Sequence, residues 1–255
     1  MPRRFYLIGH NPNSVAAAVR CLEAGANALE PDVCFDQDDF FVHERIPLVP
    51  AWLLRLLRGH LTLRQYLDGL GAYLARSGRA NQLALIAFDL KPPYDFALDR
   101  LAELVRGAFG AAFPGTAILF TASDPAAMPW LAGLAPRPGT AVGVDDRATP
   151  EAVDGFFRSR TLPYTYADGT SIPLVPTTCW LGLVRRAVAL RESGAPRRFS
   201  LVYGWTVNGT RSMTAFLDAD VDGLITDRIE RLRDLLQAKY AGRYVLATAE
   251  DDPFA

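Results

Sequence analysis

The sequence predicts an α/β protein, a single-domain (β/α)8 TIM barrel with a short C-terminal tail, and three observations lead there. Length is the first, since 255 residues match one closed barrel of about 250 residues. Composition is the second. Half of the residues are hydrophobic (50%), and 27 Lys+Arg against 28 Asp+Glu leave a net charge of −1. A large core is therefore available, and neither disorder nor electrostatic capture of nucleic acid is expected. The third is an alternation, kept from end to end, of short β-branched and aromatic runs with stretches of helical period.

In chain order, the pattern gives strands near 4–9, 27–34, 82–90, 116–121, 140–144, 161–166, 199–205 and 221–226. Helices fall between and after them at 14–24, 62–77, 95–109, 125–134, 150–158, 177–192, 211–217 and 227–240. Asn13-Ser14 and Thr149-Pro150-Glu151 read as N-terminal caps, where a side-chain oxygen serves an orphan amide and Pro fits the first turn. No linker divides the chain, so residues 1–245 are assigned to the barrel and 246–255 to the tail.

Cys21, Cys34 and Cys179 lie far apart with no C-x-x-C spacing, so three free thiols are expected. Met1-Pro2-Arg3-Arg4 runs straight into the first strand, and no signal segment is read there. The location is cytoplasmic if the chain is complete and extracellular if it is a processed fragment. The longest charge-free run, 107–123, is interrupted by Pro114 and several glycines and falls short of the roughly 20 apolar residues of a membrane span. A monomer is expected.

In such a barrel, chemistry gathers where strands end at their C-terminal side. The first strand ends in Ile8-Gly9-His10-Asn11, placing a histidine at that rim. The second reads Leu29-Glu30-Pro31-Asp32-Val33, and the period of two puts Glu30 and Asp32 on one face. Phe40-Phe41-Val42-His43 brings a second histidine, and Phe88-Asp89-Leu90-Lys91-Pro92 aligns Asp89 with Lys91. Like charges about 4 Å apart cost roughly 4 kcal/mol per pair at an effective dielectric near 20, so three carboxylates in one cavity call for a cation. All-oxygen ligands suit Mg2+, or Mn2+ or Ca2+, better than zinc.

Only Lys91 and Lys239 are lysines in a chain that otherwise uses arginine. A compact ammonium beside the metal suits a phosphate oxygen, which suggests phosphodiester chemistry. His10 and His43 supply a base or nucleophile and an acid, the roles imidazoles commonly take. His60, in Arg58-Gly59-His60-Leu61, is read as structural. Tyr203 and Trp205 end the penultimate strand, where aromatics belong to the core unless their faces meet a ligand cation such as choline.

These residues resemble the sphingomyelinase D/phospholipase D toxins of venoms and bacteria, relatives of the glycerophosphodiester phosphodiesterases. The likeness runs through Gly9-His10, Gly25-Ala26-Asn27-Ala28-Leu29-Glu30-Pro31-Asp32, His43 with Ile46-Pro47, Phe88-Asp89-Leu90-Lys91, Tyr203-Gly204-Trp205-Thr206-Val207 and Val221-Asp222-Gly223-Leu224-Ile225-Thr226. The end, Ala247-Thr248-Ala249-Glu250-Asp251-Asp252-Pro253-Phe254, is similar to that family's A-T-x-x-D-N-P-W tail. The resemblance implies Mg2+ on Glu30, Asp32 and Asp89, with His10 as base or transient nucleophile and His43 as acid. It places Lys91, Tyr203 and Trp205 around phosphate and headgroup, and the tail as a structural closure of the barrel's far end.

It further implies release of a headgroup, commonly choline, from sphingomyelin or lysophospholipids, with a cyclic phosphate formed when a neighbouring hydroxyl attacks phosphorus. The alternative is a glycerophosphodiester phosphodiesterase giving a phosphomonoester, although the H-R and H-D pairs of that group read His10-Asn11 and His43-Glu44 here. A non-catalytic lipid- or metal-binding barrel is the third reading. Departures from the toxins are Asp252 for Asn, Phe254 for Trp, Asp227 where the venom enzymes have Asn after the eighth strand, and a loop after His43 without their cysteine pair. Trp52, Leu53 and Leu54 in that loop, among arginines, are a candidate transient contact with a lipid surface.

Overall fold

The computed structural model of the chain describes residues 2–36, 38–43, 61–145, 148–170, 177–193 and 198–254. Trp52, Leu53, Leu54 and His60 lie outside the described residues. The strands are β1 (Arg3–His10), β2 (Ala28–Glu30), β3 (Asp32–Asp36), β4 (Asp39–Val42), β5 (Leu85–Leu90), β6 (Ala117–Ala122), β7 (Thr140–Val144), β8 (Tyr164–Gly169), β9 (Val202–Trp205), β10 (Gly223–Thr226) and β11 (Tyr244–Leu246). Parallel pairing runs from β1 to β2, on to β5 and then in order to β10, which returns to β1 with Tyr6 opposite Gly223. Eight strand positions thus close the ring, and the chain is a single-domain TIM barrel.

The helices are α1 (Val15–Ala24), α2 (Leu63–Ser77), α3 (Leu98–Val105), α4 (Met128–Leu131), α5 (Pro150–Phe157), α6 (Leu181–Glu192), α7 (Thr210–Leu217) and α8 (Ile229–Lys239). Ser14 caps α1 by accepting from Ala17 N–H, Thr62 and Gln65 form a reciprocal capping box on α2, and Thr149 accepts from Ala152 N–H on α5. Asn13 does not share the cap with Ser14. Its side chain turns instead to Asp32 at the start of β3.

Three local expectations change. The strand expected over 27–34 is split at Pro31, which has no N–H for the ladder. Beyond it β3 follows β5 alone, with Asp32 opposite Asp89, and turns back with β4 as an antiparallel hairpin. The helix expected over 95–109 is α3 followed by a π-helical turn, Arg106–Gly110, where Gly107 and Gly110 weaken regular helix. The helix expected over 125–134 is a 3-10 turn, Pro125–Ala127, leading into the short α4. Among the described residues Cys21, Cys34 and Cys179 form no disulfide.

The period of two along each strand divides the core. Phe5 and Leu7 join the layer between barrel and helices, whereas Tyr6 and Ile8 join Ala28, Leu85, Ala87, Leu119, Ala141, Ala167, Leu201, Tyr203 and Ile225 inside the barrel. The same inward rows end, at the C-terminal mouth, in polar residues. At the opposite end β11 pairs with the start of β1, Phe5 opposite Leu246, and Phe254 packs against the inner cluster. Asn27, 2% exposed, ties these parts together: its amide donates to Phe5 O at 3.0 Å and Ala247 O at 2.8 Å and accepts from Leu7 N–H at 2.7 Å.

Candidate active site

Each side chain of the site stands where an inward row reaches the mouth. Glu30 ends β2, Asp32 opens β3 and Asp89 lies near the end of β5, and one carboxylate oxygen of each falls within 4.8 Å of the others. Glu30 and Asp32 are buried. After His10 the backbone of Asn11 is left-handed (φ 46), a conformation asparagine tolerates, and its N–H donates to Glu30 Oε2 at 3.1 Å. Asn13 holds Asp32 on both sides, donating from Nδ2 to Oδ2 at 2.7 Å and accepting its N–H at 2.8 Å.

Lys91 Nζ lies 2.7 Å from Asp32 Oδ1 and also bonds Asp89 Oδ2. Burial opposes the ammonium, but Asp89 and Asp32 outweigh it and hold the lysine above its ordinary pKa. One ammonium does not balance three carboxyls. Burial first, then the charges of Asp32 and Asp89, pushes the Glu30 carboxyl well above the usual range. Asp89 is raised too, chiefly by burial, and its Oδ1 is shielded from water without a hydrogen-bond donor among the described residues. Oxygen-only donors, surplus negative charge and an orphaned carboxylate oxygen fit a hard divalent cation.

A cleft of about 240 Å³ opens over these acids, lined by His10, Glu30, Asp89, Lys91, Asp145 and Trp205 among others. His10 Nδ1 lies 2.8 Å from Asp227 Oδ1. That bond, ahead of one from Asn208, holds the Asp227 carboxyl below its ordinary value. His43 follows β4 on the hairpin, with Cys34 Sγ 3.8 Å from its Nδ1, and is not among the residues lining the cleft. Tyr203 is 1% exposed, lies one layer below the mouth and is not among the residues lining the cleft; its hydroxyl donates to Asp145 Oδ1, beneath the cleft, at 3.1 Å. Trp205 lines the cleft, with Nε1 donating to Asp145 O at 2.6 Å.

Asp145 is the residue that sequence reasoning passed over. It follows β7 in the same inward register as Ala141 and Gly143, so the period of two was a usable signal, but Asp145-Asp146-Arg147 reads as a solvated turn. Burial, then Asp89, pushes its carboxyl up to about 8, against the opposing bonds from Thr121 and Tyr203. Asn11, Asn13 and Asn208 were missed because an asparagine carries no charge pattern to mark it.

A family model for dermonecrotic toxin SPH matches residues 1–98 and 159–254. The chain belongs to the dermonecrotic toxin family. This is the sphingomyelinase D/phospholipase D group that its motifs resemble, and the chain is an enzyme of the phosphodiesterase type. Dermonecrotic toxin LarSicTox-alphaVII1 of Loxosceles arizonica is 27% identical, with 98% of this chain and 99% of the toxin covered. LruSicTox-alphaIC1c of Loxosceles rufescens is 25% identical, with 98% of each covered. Among solved structures, an Oleispira antarctica phosphodiesterase in complex with the product sn-glycerol-3-phosphate superposes with a TM-score of 0.66 at 14% identity, covering 91% of this chain and 97% of that one. A putative glycerophosphoryl diester phosphodiesterase from Silicibacter pomeroyi gives 0.62 at 17% identity, covering 93% and 94%. Likeness at this level carries the fold. The matched segments of this dermonecrotic toxin family member hold His10, Glu30, Asp32, His43, Asp89, Lys91, Tyr203 and Trp205, whereas Asp145 falls between them.

Proposed function

We propose that this chain is a Mg2+-dependent phospholipase D-like phosphodiesterase that releases the headgroup, choline, from sphingomyelin or a lysophospholipid and leaves a cyclic phosphate. The observation that carries the reading is the convergence of Glu30, Asp32 and Asp89 within 4.8 Å, beside His10 and Lys91 in one cleft. Those three carboxylates would hold the ion. Bound there, a hard divalent cation supplies stabilisation of charge on the phosphate oxygens.

The chain's own residues do the rest. With Nδ1–H engaged by Asp227, His10 keeps Nε2 for the proton of the lipid hydroxyl next to the scissile bond. That hydroxyl oxygen bonds to phosphorus while the bond from phosphorus to the headgroup oxygen breaks, and His43 protonates the departing alcohol. Lys91 is positioned to meet a phosphate oxygen. The Trp205 indole, braced on Asp145 O, offers its face to a quaternary ammonium. Tyr203 acts from below by fixing Asp145.

The experiment is phosphorus NMR of the products from sphingomyelin, lysophosphatidylcholine and glycerophosphocholine, with and without EDTA. A cyclic phosphate that EDTA abolishes is expected. An open monoester from glycerophosphocholine supports the glycerophosphodiester phosphodiesterase instead, and no turnover of any diester leaves a non-catalytic barrel. We further propose that the chain acts as a monomer and meets the lipid surface through the run containing Trp52, Leu53 and Leu54. No helix of the described residues is long and apolar enough to cross a membrane.

A further inference from the structure

We propose that Asn208 and Asp227 form a matched pair that sets the tautomer of His10, so that the carboxylate at 227 and the amide at 208 can be exchanged only together. The catalytic consequence rests on the reading of His10 as the base; the tautomer itself does not.

The logic is one of donors and acceptors. Asp227 Oδ1 lies 2.8 Å from His10 Nδ1, and a carboxylate has no proton to give. Nδ1 therefore carries a hydrogen, and in the neutral ring Nε2 has the lone pair. Asp227 Oδ2 accepts from Asn208 Nδ2 at 2.7 Å. The amide of Asn208 is not free to turn over, because its Oδ1 accepts the backbone N–H of Asp227 at 2.9 Å, and a backbone N–H can only donate. The Thr226 hydroxyl adds a second lock. It accepts Arg228 N–H at 3.0 Å and directs its own proton to Asn208 Oδ1 at 2.9 Å. Arg231 Nη1 holds the carbonyl of residue 208 at 2.9 Å.

Side chain 227 thus receives one donor from each side, and only a carboxylate accepts both. An asparagine side chain has a single acceptor. With Asn208 locked, the introduced oxygen turns to Asn208 and the introduced NH2 to His10 Nδ1, which drives the imidazole proton to Nε2 and removes the base. Asn208→Asp made together with Asp227→Asn reverses this. The introduced aspartate still accepts from the 227 N–H and Thr226, its second oxygen takes the introduced NH2, and the amide oxygen at 227 faces His10 Nδ1–H again. Asp227 and Asn208 are positioning residues, acting through His10.

The test reads the imidazole directly. Long-range proton–nitrogen NMR on the 15N-labelled full chain, at alkaline pH where imidazoles are neutral, reports the tautomer of His10, assigned by loss of its signals in His10→Gln. The wild type is expected to carry Nδ1–H, Asp227→Asn to carry Nε2–H, and Asp227→Asn/Asn208→Asp to carry Nδ1–H. On lysophosphatidylcholine, Asp227→Asn should lower kcat at least about tenfold with KM within about twofold, and the double variant should recover to within about threefold. An Nδ1–H tautomer in folded Asp227→Asn, or a folded double variant that keeps Nε2–H, overturns the pairing. Wild-type protein that shows the expected tautomers and no turnover overturns the functional reading while leaving the pairing in place.

Discussion

Asp145 keeps its proton into the neutral range because it is enclosed beside Asp89, with Tyr203 and Trp205 packed around it. Its folded pKa, about 8, stands above an unfolded value of about 3.9, so the folded chain binds more protons across that window and loses stability as pH rises through it. Glu30 and Asp89 are shifted in the same direction. In EDTA, Tm should therefore fall between about pH 4 and pH 8. Asp145→Asn, which mimics the protonated acid, should flatten that fall, each such carboxyl contributing up to about 1.4 kcal/mol per pH unit. Tm measured across this range checks it, and parallel curves for the two proteins would contradict it. A second expectation concerns His10: His10→Ala should lower kcat on a choline lysolipid by about 10²-fold or more with the fold intact by circular dichroism.

At the scale of elements, the barrel was readable because strand alternation and helix period repeat through the chain, and because Glu30-x-Asp32 and Asp89-x-Lys91 put acids on inward rows. What stayed hidden has physical reasons. Pro31 ends one ladder, but nothing in Val33-Cys34-Phe35 says that β3 leaves the ring to pair with β4. Asn13 has the composition of a cap and serves Asp32 instead, which only the approach of α1 to β3 decides. The tail's closure of the far end rests on Asn27, so Asn27→Ala takes a partner from Leu7 N–H and from Ala247 O and leaves Phe5 O with the N–H of Ala247 alone. It should cost about 3 kcal/mol, read as a lower urea midpoint. For the loop, Trp52→Ser/Leu53→Ser should cut turnover on phosphatidylcholine vesicles carrying sphingomyelin several-fold more than turnover of a soluble diester. Equal losses on both would remove the interfacial contact.

For the molecule as a whole, the closed sheet gives one end to stability and the other to chemistry. Small inward residues such as Ala28, Ala87 and Ala141 fill the barrel below, while the rows they begin rise to Glu30, Asp89 and Asp145 at the mouth. Family membership, the cleft and its histidine all depend for their meaning on whether the three acids hold a cation. Calorimetric titration of the full chain with Mn2+ tests that directly. One ion per chain is expected for the wild type, with binding lost in Glu30→Gln and Asp89→Asn variants that remain folded. Wild-type protein that takes up no ion, or variants that bind as tightly as the wild type, would contradict the account.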